Sequence, residues 1–311
     1  MLSRVAETIF WLGRYMERTD GMLQILRTNY ISSQDAINDL SWTPLLLTYG
    51  ELSAEEIRKI ERDSPKVLEY LISDRYNGTS VYNNVRQSRE NARAIQDHIT
   101  KEVWQCLNDF YHYMRDPNFE KQFEDGDPVS TMDLLIKQGL LFNGTVKNTM
   151  IRDQGYTYLH LGKFLERAIL TTDIVRINIR YHNVKFQQRV ESPALRYLLH
   201  SLLGYEVYMK TYKGNFNPDD VLEMAIHNSY FPHSLVYSLY QLNKYFERLK
   251  PESLPESYEE VEYLIGKTMN TVKYSNVEVT NQKMVNNFLQ GTRNQLIEIG
   301  NCLGKSYFGN T

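Results

Sequence analysis

The chain has 311 residues, of which 42% are hydrophobic and 23% charged, and its formal net charge is -3. That length allows either two cores or one large helical bundle, while the small net charge and dispersed basic residues exclude the electrostatic footprint of a nucleic-acid binder. No stretch approaches the roughly 18 uncharged apolar residues that a membrane helix needs, and Arg4 and Glu7 interrupt any signal-peptide core, so a cytoplasmic, membrane-free protein is expected.

Taken in chain order, apolar periodicity and turn signals predict helices at 3–30, 33–49, 53–72, 80–114, 130–151, 153–182, 191–212, 218–228, 232–249, 257–273 and 281–305. Three starts are well marked. Ser53 with Glu56 and Ser257 with Glu260 have capping-box spacing, and Asn217-Pro218-Asp219-Asp220 offers an N-cap, a proline at the first helical position and acids at the positive end of the helix dipole. β-branched alternation is sustained nowhere, Val277 to Thr280 being the only brief strand candidate. The fold class is therefore all-α.

The first helix carries an apolar seam through Val5, Ile9, Leu12, Met16, Thr19, Leu23, Leu26 and Tyr30, in alternating steps of four and three. Superposing Gly13 on Gly162 aligns a second seam: Tyr158, Leu161, Leu165, Ala168, Thr172, Val175 and Ile179. Identity follows the superposition, Leu12-Gly13-Arg14-Tyr15-Met16-Glu17-Arg18 facing Leu161-Gly162-Lys163-Phe164-Leu165-Glu166-Arg167. A weaker echo pairs Thr79-Ser80-Val81 with His233-Ser234-Leu235. The pattern predicts a multi-helix bundle of two pseudo-symmetric halves, 1–151 and 152–311, packed without a flexible linker.

Arg14, Glu17 and Arg18 share a helical sector with Phe10, Trp11, Met22 and Ile25, and Lys163, Glu166 and Arg167 sit among Leu159, Leu170 and Ile174. A helix apolar on every side is internal, so these charges must be paired or hydrogen-bonded. Adjacent Glu and Arg diverge by about 100° around a helix, so Glu17 reaches back to Arg14 while Arg18 and Arg167 address other helices, Glu166 and Glu17 being the natural crossed partners. Two readings stay open. One is a buried ion-pair network that fixes helix register; the other is a site where Arg forks hold a carboxylate or phosphate and a Glu serves as acid or base.

A second charged stretch, Arg86-Gln87-Ser88-Arg89-Glu90-Asn91-Ala92-Arg93, has spacings that pair Arg86 with Glu90 and Arg93 with Asp97 and leave Arg89 unmatched. The remaining chemistry is sparse. Gly266-Lys267-Thr268 lacks the first glycine of a phosphate loop, Val261 standing in its place. Asp109 and His112 alone approach a di-iron pattern, which needs two Glu-x-x-His motifs and two further carboxylates. Cys106 and Cys302 read as buried apolar side chains, and no nucleophile elbow occurs. No metal site is expected.

Leu2-Ser3-Arg4-Val5-Ala6 with Trp11 to Arg18, then Arg89-Glu90-Asn91-Ala92-Arg93, Leu161 to Ala168 and Phe231-Pro232-His233-Ser234, together resemble the bacterial alpha-E family, a helical domain named for its Glu-Arg motif. Lys163 and His233 depart from the Arg more usual at those positions. The resemblance implies that Arg14, Glu17, Arg18, Arg89, Glu90, Asn91, Arg93, Lys163, Glu166 and Arg167 form a polar network or ligand site. It also implies a setting beside a circularly permuted ATP-grasp protein and a transglutaminase-like protein, in a system that makes or processes peptide-like amide bonds. ATP binding and cysteine chemistry would then belong to those partners, and this chain would need no cofactor of its own. An accessory or substrate-binding component, an enzyme using Glu and Arg, and a plain helical scaffold are the alternatives this leaves.

Overall fold

A computed structural model describes residues 1–34, 41–116, 118–119, 121–124, 126–181, 193–213, 216–250, 256–276 and 281–309. Among them the chain is all-α, with no strand; the strand candidate at 277–280 lies outside the described residues. No described helix is long and apolar enough to cross a membrane. The first helix, α1 (Ser3–Gln34), is continuous, and the chain divides into two compact units: Tyr15–Ile151, and Arg152–Thr311 together with Met1–Arg14.

In the Tyr15–Ile151 unit, α1 is followed by α2 (Thr43–Tyr49), α3 (Ala54–Ile60), α4 (Ser64–Leu68), α5 (Val81–Ala94), α6 (Lys101–Met114), α7 (Lys121–Glu124) and α8 (Pro128–Thr149). Ser53 and Glu56 form the expected capping box. The helix expected at 53–72 breaks because Asp63 caps a new start, accepting from the Lys66 N–H at 3.2 Å ahead of Pro65, and its last turn widens into a π-turn at Glu69–Ser73. The helix expected at 80–114 is likewise two. The backbone leaves helical geometry at Ile95 (φ -123°, ψ 29°), and the Thr100 side chain starts α6 by accepting from the Val103 N–H. α6 then packs between α5 and α8.

The other unit holds α9 (Gln154–Tyr181), α10 (Pro193–Ser201), α11 (Tyr205–Tyr212), α12 (Pro218–Ile226), α13 (Leu235–Glu247), α14 (Glu256–Lys273) and α15 (Gln282–Phe308). α9 packs against both α13 and α15, and α14 against the same two. The Asn217-Pro218 start is realised, the Asn217 side chain accepting from the Asp219 N–H at 3.1 Å. Ser257 is no cap, because α14 already includes Glu256. The helix expected at 191–212 is interrupted at Leu203, which takes a positive φ of 56°. That left-handed step cannot continue an α-helix.

The weak echo between Ser80 and Ser234 is a shared local structure. Each serine caps the N–H three residues on, at 3.2 and 3.0 Å, and donates its hydroxyl to the carbonyl six residues back, Asp74 or Asn228. The side chains of Asp74 and Asn228 in turn accept from the N–H groups two and three residues ahead.

What positions the Glu-Arg motif is a backbone-to-backbone crossing. A Cβ on Gly13 would run into the Leu159 carbonyl, and one on Gly162 would run into the Phe10 carbonyl. The two contacts are reciprocal, each glycine lying against the carbonyl of the residue three before the other. This crossing explains why the first 14 residues belong with Arg152–Thr311. Gly13→Ala and Gly162→Ala should each cost about 1–3 kcal/mol, since the backbones must separate to admit a methyl group. Gly144→Ala and Gly266→Ala, whose new methyl groups meet nothing within 4 Å, should stabilise by about 0.5–1 kcal/mol. Urea unfolding of the four variants checks both signs.

Candidate functional site

At the crossing, Arg14 Nε donates to Glu166 Oε2 at 2.7 Å, with Glu166 only 2% exposed. The Arg14 guanidinium also lies over the Trp11 ring, 4.5 Å from its centre, and 5.8 Å from that of Phe10. Its hydrogen-bonded partner is thus on α9, whereas the sequence spacing pointed to Glu17 on its own helix. The crossing brings α9 so close that the cross-helix carboxylate is the better acceptor.

Arg167, next in the chain, turns another way. Its Nη1 donates to the Pro232 carbonyl at 3.2 Å and its guanidinium lies 5.3 Å from the Phe164 ring. One turn on, the Thr171 hydroxyl lies 3.1 Å from the His233 carbonyl and 2.9 Å from that of Arg167. The Glu-Arg block and the Phe231-Pro232-His233-Ser234 block, far apart in sequence, therefore meet in one unit. Lys163 is half-buried on the same helix.

In the Tyr15–Ile151 unit Glu17 is buried and Arg18 lies 5.9 Å from the Tyr15 ring. Arg89 donates from Nε to Asn108 Oδ1 at 2.9 Å and from Nη1 to Glu90 Oε1 at 2.7 Å, while stacking near Trp104 and Tyr111. Arg93 joins Glu90 at 2.8 Å, and Asn91 is half-buried. The expected pairing of Arg86 with Glu90 is replaced, because both Glu90 oxygens are taken by Arg89 and Arg93. That of Arg93 with Asp97 fails because α5 ends at Ala94. These ion pairs are half exposed and contribute little individually.

Several buried polar groups have no motif to announce them. Asp173, 5% exposed on α9, accepts from Arg293 Nε of α15 at 2.8 Å and faces Arg176 Nη1 at 3.6 Å. Burial raises its carboxyl above the usual range against the pull of Arg293. His160 stacks between Tyr156 and Tyr245, with ring centres 3.9 and 4.7 Å away, and its Nδ1 lies 2.8 Å from the Tyr156 carbonyl, which can only accept. Burial first, then the charges of Lys163, Arg152 and Arg248, hold its imidazole down to about 3. Both cysteine thiols are buried and pushed up, Cys106 to about 11. Among the described residues no group of three or more His, Cys, Asp or Glu is placed to hold a metal ion.

An open cavity of about 330 Å³ lies beside the Arg14–Glu166 pair. Arg14, Trp11 and Glu7 of α1 line one side; Asn301 and Lys305 of α15 line another, and Ile169 comes from α9. Gly300 and Gly304 of α15 also line it, and a side-chain carbon on Gly300 would sit 3.3 Å from Leu165 Cδ2 and 3.9 Å from Arg14 Nη1.

This is an all-helical protein whose Glu-Arg motif ties helices together beside a polar-rimmed cavity. The chain belongs to the Alpha-E family, described as a predicted alpha-helical domain with a conserved ER motif, which matches residues 1–308. It is 23% identical over 258 residues to an uncharacterised protein of Mycobacterium bovis, and equally so to one of Mycobacterium tuberculosis. Those alignments cover 77% of this chain and 29% of each relative, so the chain spans less than a third of their length. No solved structure matches it.

The His160 environment sets a pH dependence. The ring's ordinary pKa is 6.5 and the folded value is about 3, so the unfolded chain binds the extra proton. Stability from the neutral ring is complete above 6.5 and is lost as pH falls through that window. Between about pH 7 and pH 5 the unfolding free energy should drop by about 2 kcal/mol. In His160→Phe, which keeps the ring stack, that part of the slope should vanish. Chemical unfolding at the two pH values measures it.

Proposed function

We infer that this chain is a non-catalytic, binding component of a system that forms or processes peptide-like amide bonds, acting with an ATP-grasp ligase-type protein and a transglutaminase-like protein. The observation that carries this reading is the state of the motif's own groups. Glu166 is buried and engaged by Arg14, and Arg167 is spent on the Pro232 carbonyl. A carboxylate locked to a guanidinium is poorly placed to shuttle protons, whereas an arginine oriented by a carboxylate is well placed to hold an anion. The buried, raised thiols favour the same division of labour, with nucleophilic chemistry left to a partner.

The length of the mycobacterial relatives adds support, since 29% of each aligns here and the rest lies outside the match. A domain that occurs within longer chains is one that works beside others. Co-expression with an ATP-grasp ligase-type protein from the same source should yield a complex that survives affinity and size-exclusion chromatography. Failure to associate at tens of micromolar, with and without nucleotide, would overturn the partner assignment.

A further inference from the structure

Away from the Glu-Arg motif, the ends of two helices bring a serine, a histidine and a glutamate together. α12 finishes at Ile226, and His227 closes it by donating its backbone N–H to the Glu223 carbonyl at 2.8 Å. Residues four apart on a helix share a face, and His227 Nδ1 lies 2.8 Å from Glu223 Oε2. α14 ends at Lys273, and Ser275 turns back just beyond it, its backbone N–H donating to the Val272 carbonyl at 3.2 Å. That turn carries the Ser275 hydroxyl to 2.8 Å from His227 Nε2. Nothing in the sequence marks the group, since Tyr274-Ser275-Asn276 is no nucleophile elbow and the serine stands 48 residues from the histidine.

The contacts fix where the protons sit. An ionised carboxylate only accepts, so His227 Nδ1 carries the hydrogen, and in the neutral ring Nε2 presents a lone pair to Ser275. The Ser275 hydroxyl then has two acceptors at 2.8 Å, His227 Nε2 and the Val272 carbonyl, and one proton to give. Of the two, the imidazole is the one basic enough to take that proton outright. A nucleophile on a base, with the base held by an orienting acid, is the arrangement that activates a serine hydroxyl. The group stands at the surface and not in the core: Ser275 is half-buried, and 16% of the His227 side chain and 59% of that of Glu223 are exposed.

We propose that Ser275 is a site of covalent acylation, taking an acyl group from an activated donor of the acyl phosphate or aryl ester class, with His227 as base and Glu223 as its orienting group. Ser275 Oγ forms a bond to the acyl carbon, and the bond from that carbon to the phosphate or phenolate oxygen breaks, its electron pair leaving with that oxygen. The Oγ proton passes to His227 Nε2 and from there to the leaving group or to water. The product is an alkyl ester, whose alkoxide is a far worse leaving group than phosphate or phenolate. Loading therefore outruns release, and the chain holds the acyl group without turning it over. The inference goes beyond the binding role given above and does not rest on it; as a stoichiometric acceptor the chain remains non-catalytic, and its buried thiols take no part.

The test treats the full chain with p-nitrophenyl acetate and, separately, with acetyl phosphate. p-Nitrophenolate should appear in a burst of one equivalent per chain, and peptide mass spectrometry should place one acetyl group on Ser275 with either donor. Ser275→Ala should lose both the burst and that label. His227→Gln should slow the loading of Ser275 by at least about a hundredfold, the low end of what a positioned general base supplies. Glu223→Gln should slow it as well, because an amide can hold the ring in the opposite tautomer. Each variant should melt like the parent, so that slow loading with unchanged melting separates a base from a merely structural histidine. Acetyl groups confined to lysines or the N-terminus, or loading of Ser275 unchanged in His227→Gln, would overturn the proposal. Release that continues past one equivalent, and is lost in Ser275→Ala, would overturn the carrier assignment together with the non-catalytic reading. Neither result depends on whether a ligase-type partner binds.

Discussion

The local architecture around the motif depends on one steric constraint, the contact of α1 and α9 through Gly13 and Gly162 with no side chain between them. Helices separated by ordinary side chains have axes about 8–10 Å apart, and a glycine on each side of a crossing removes the side chains that would hold the backbones apart. Here each glycine faces the other helix's carbonyl, and the residue after Gly13 reaches across to Glu166 at 2.7 Å. The ion pair is thus a consequence of the crossing as much as a cause of it. Placing a charged pair in a poorly solvated position costs desolvation on both sides. Its best-founded contribution is to specify register, since sliding α9 by one turn would strand two charges.

The same unit carries a second buried acid whose balance differs. Asp173 is raised because burial outweighs the attraction of Arg293 and Arg176. Its ionised form therefore weakens the fold as pH rises through its elevated pKa, the opposite sense to His160. One acid on α9 faces α1 and another, two turns further on, faces α15. The helix is apolar nearly all round, and its few polar groups each address a different neighbour.

The motif-bearing helices and the capping signals at Ser53 and Asn217 were legible in the sequence because they depend on residues within one turn; Ser80 and Ser234 showed only as an echo, and the Ser257 signal failed because α14 already includes Glu256. The interruptions at Ile95 and Leu203 were not legible, since both arise where helical propensity continues but the backbone takes a short-range alternative. The charge pattern of Arg86 to Arg93 misled because i,i+4 spacing assumes a helix that persists and side chains that ignore nearer partners. Burial of Glu17 and Glu166 followed from the wheel. The direction of Arg14 did not, because it depends on a glycine contact with α9. His160 and Asp173 had no readable motif at all: a lone His or Asp in an apolar helix acquires its meaning from Tyr245 and Arg293, which are far away in sequence. The cavity is of the same kind, lined by residues of α1, α9 and α15 that are far apart in sequence.

The Glu-Arg dipeptide itself makes sense only once its two members are seen to part. Adjacent residues on a helix point about 100° apart, so Glu166 serves α1 through Arg14 while Arg167 serves the loop that caps α13 through Pro232. A single two-residue step thereby ties α9 to two neighbours that never touch the same face. The partner of Glu166 must then be arginine and not lysine. A guanidinium offers one edge to Glu166 and keeps a second edge for the cavity, whereas an ammonium is a point charge that would be consumed by the first carboxylate it met. Arg14 can fix the register of α1 against α9 and still stand at the wall of the cavity because its guanidinium has two faces.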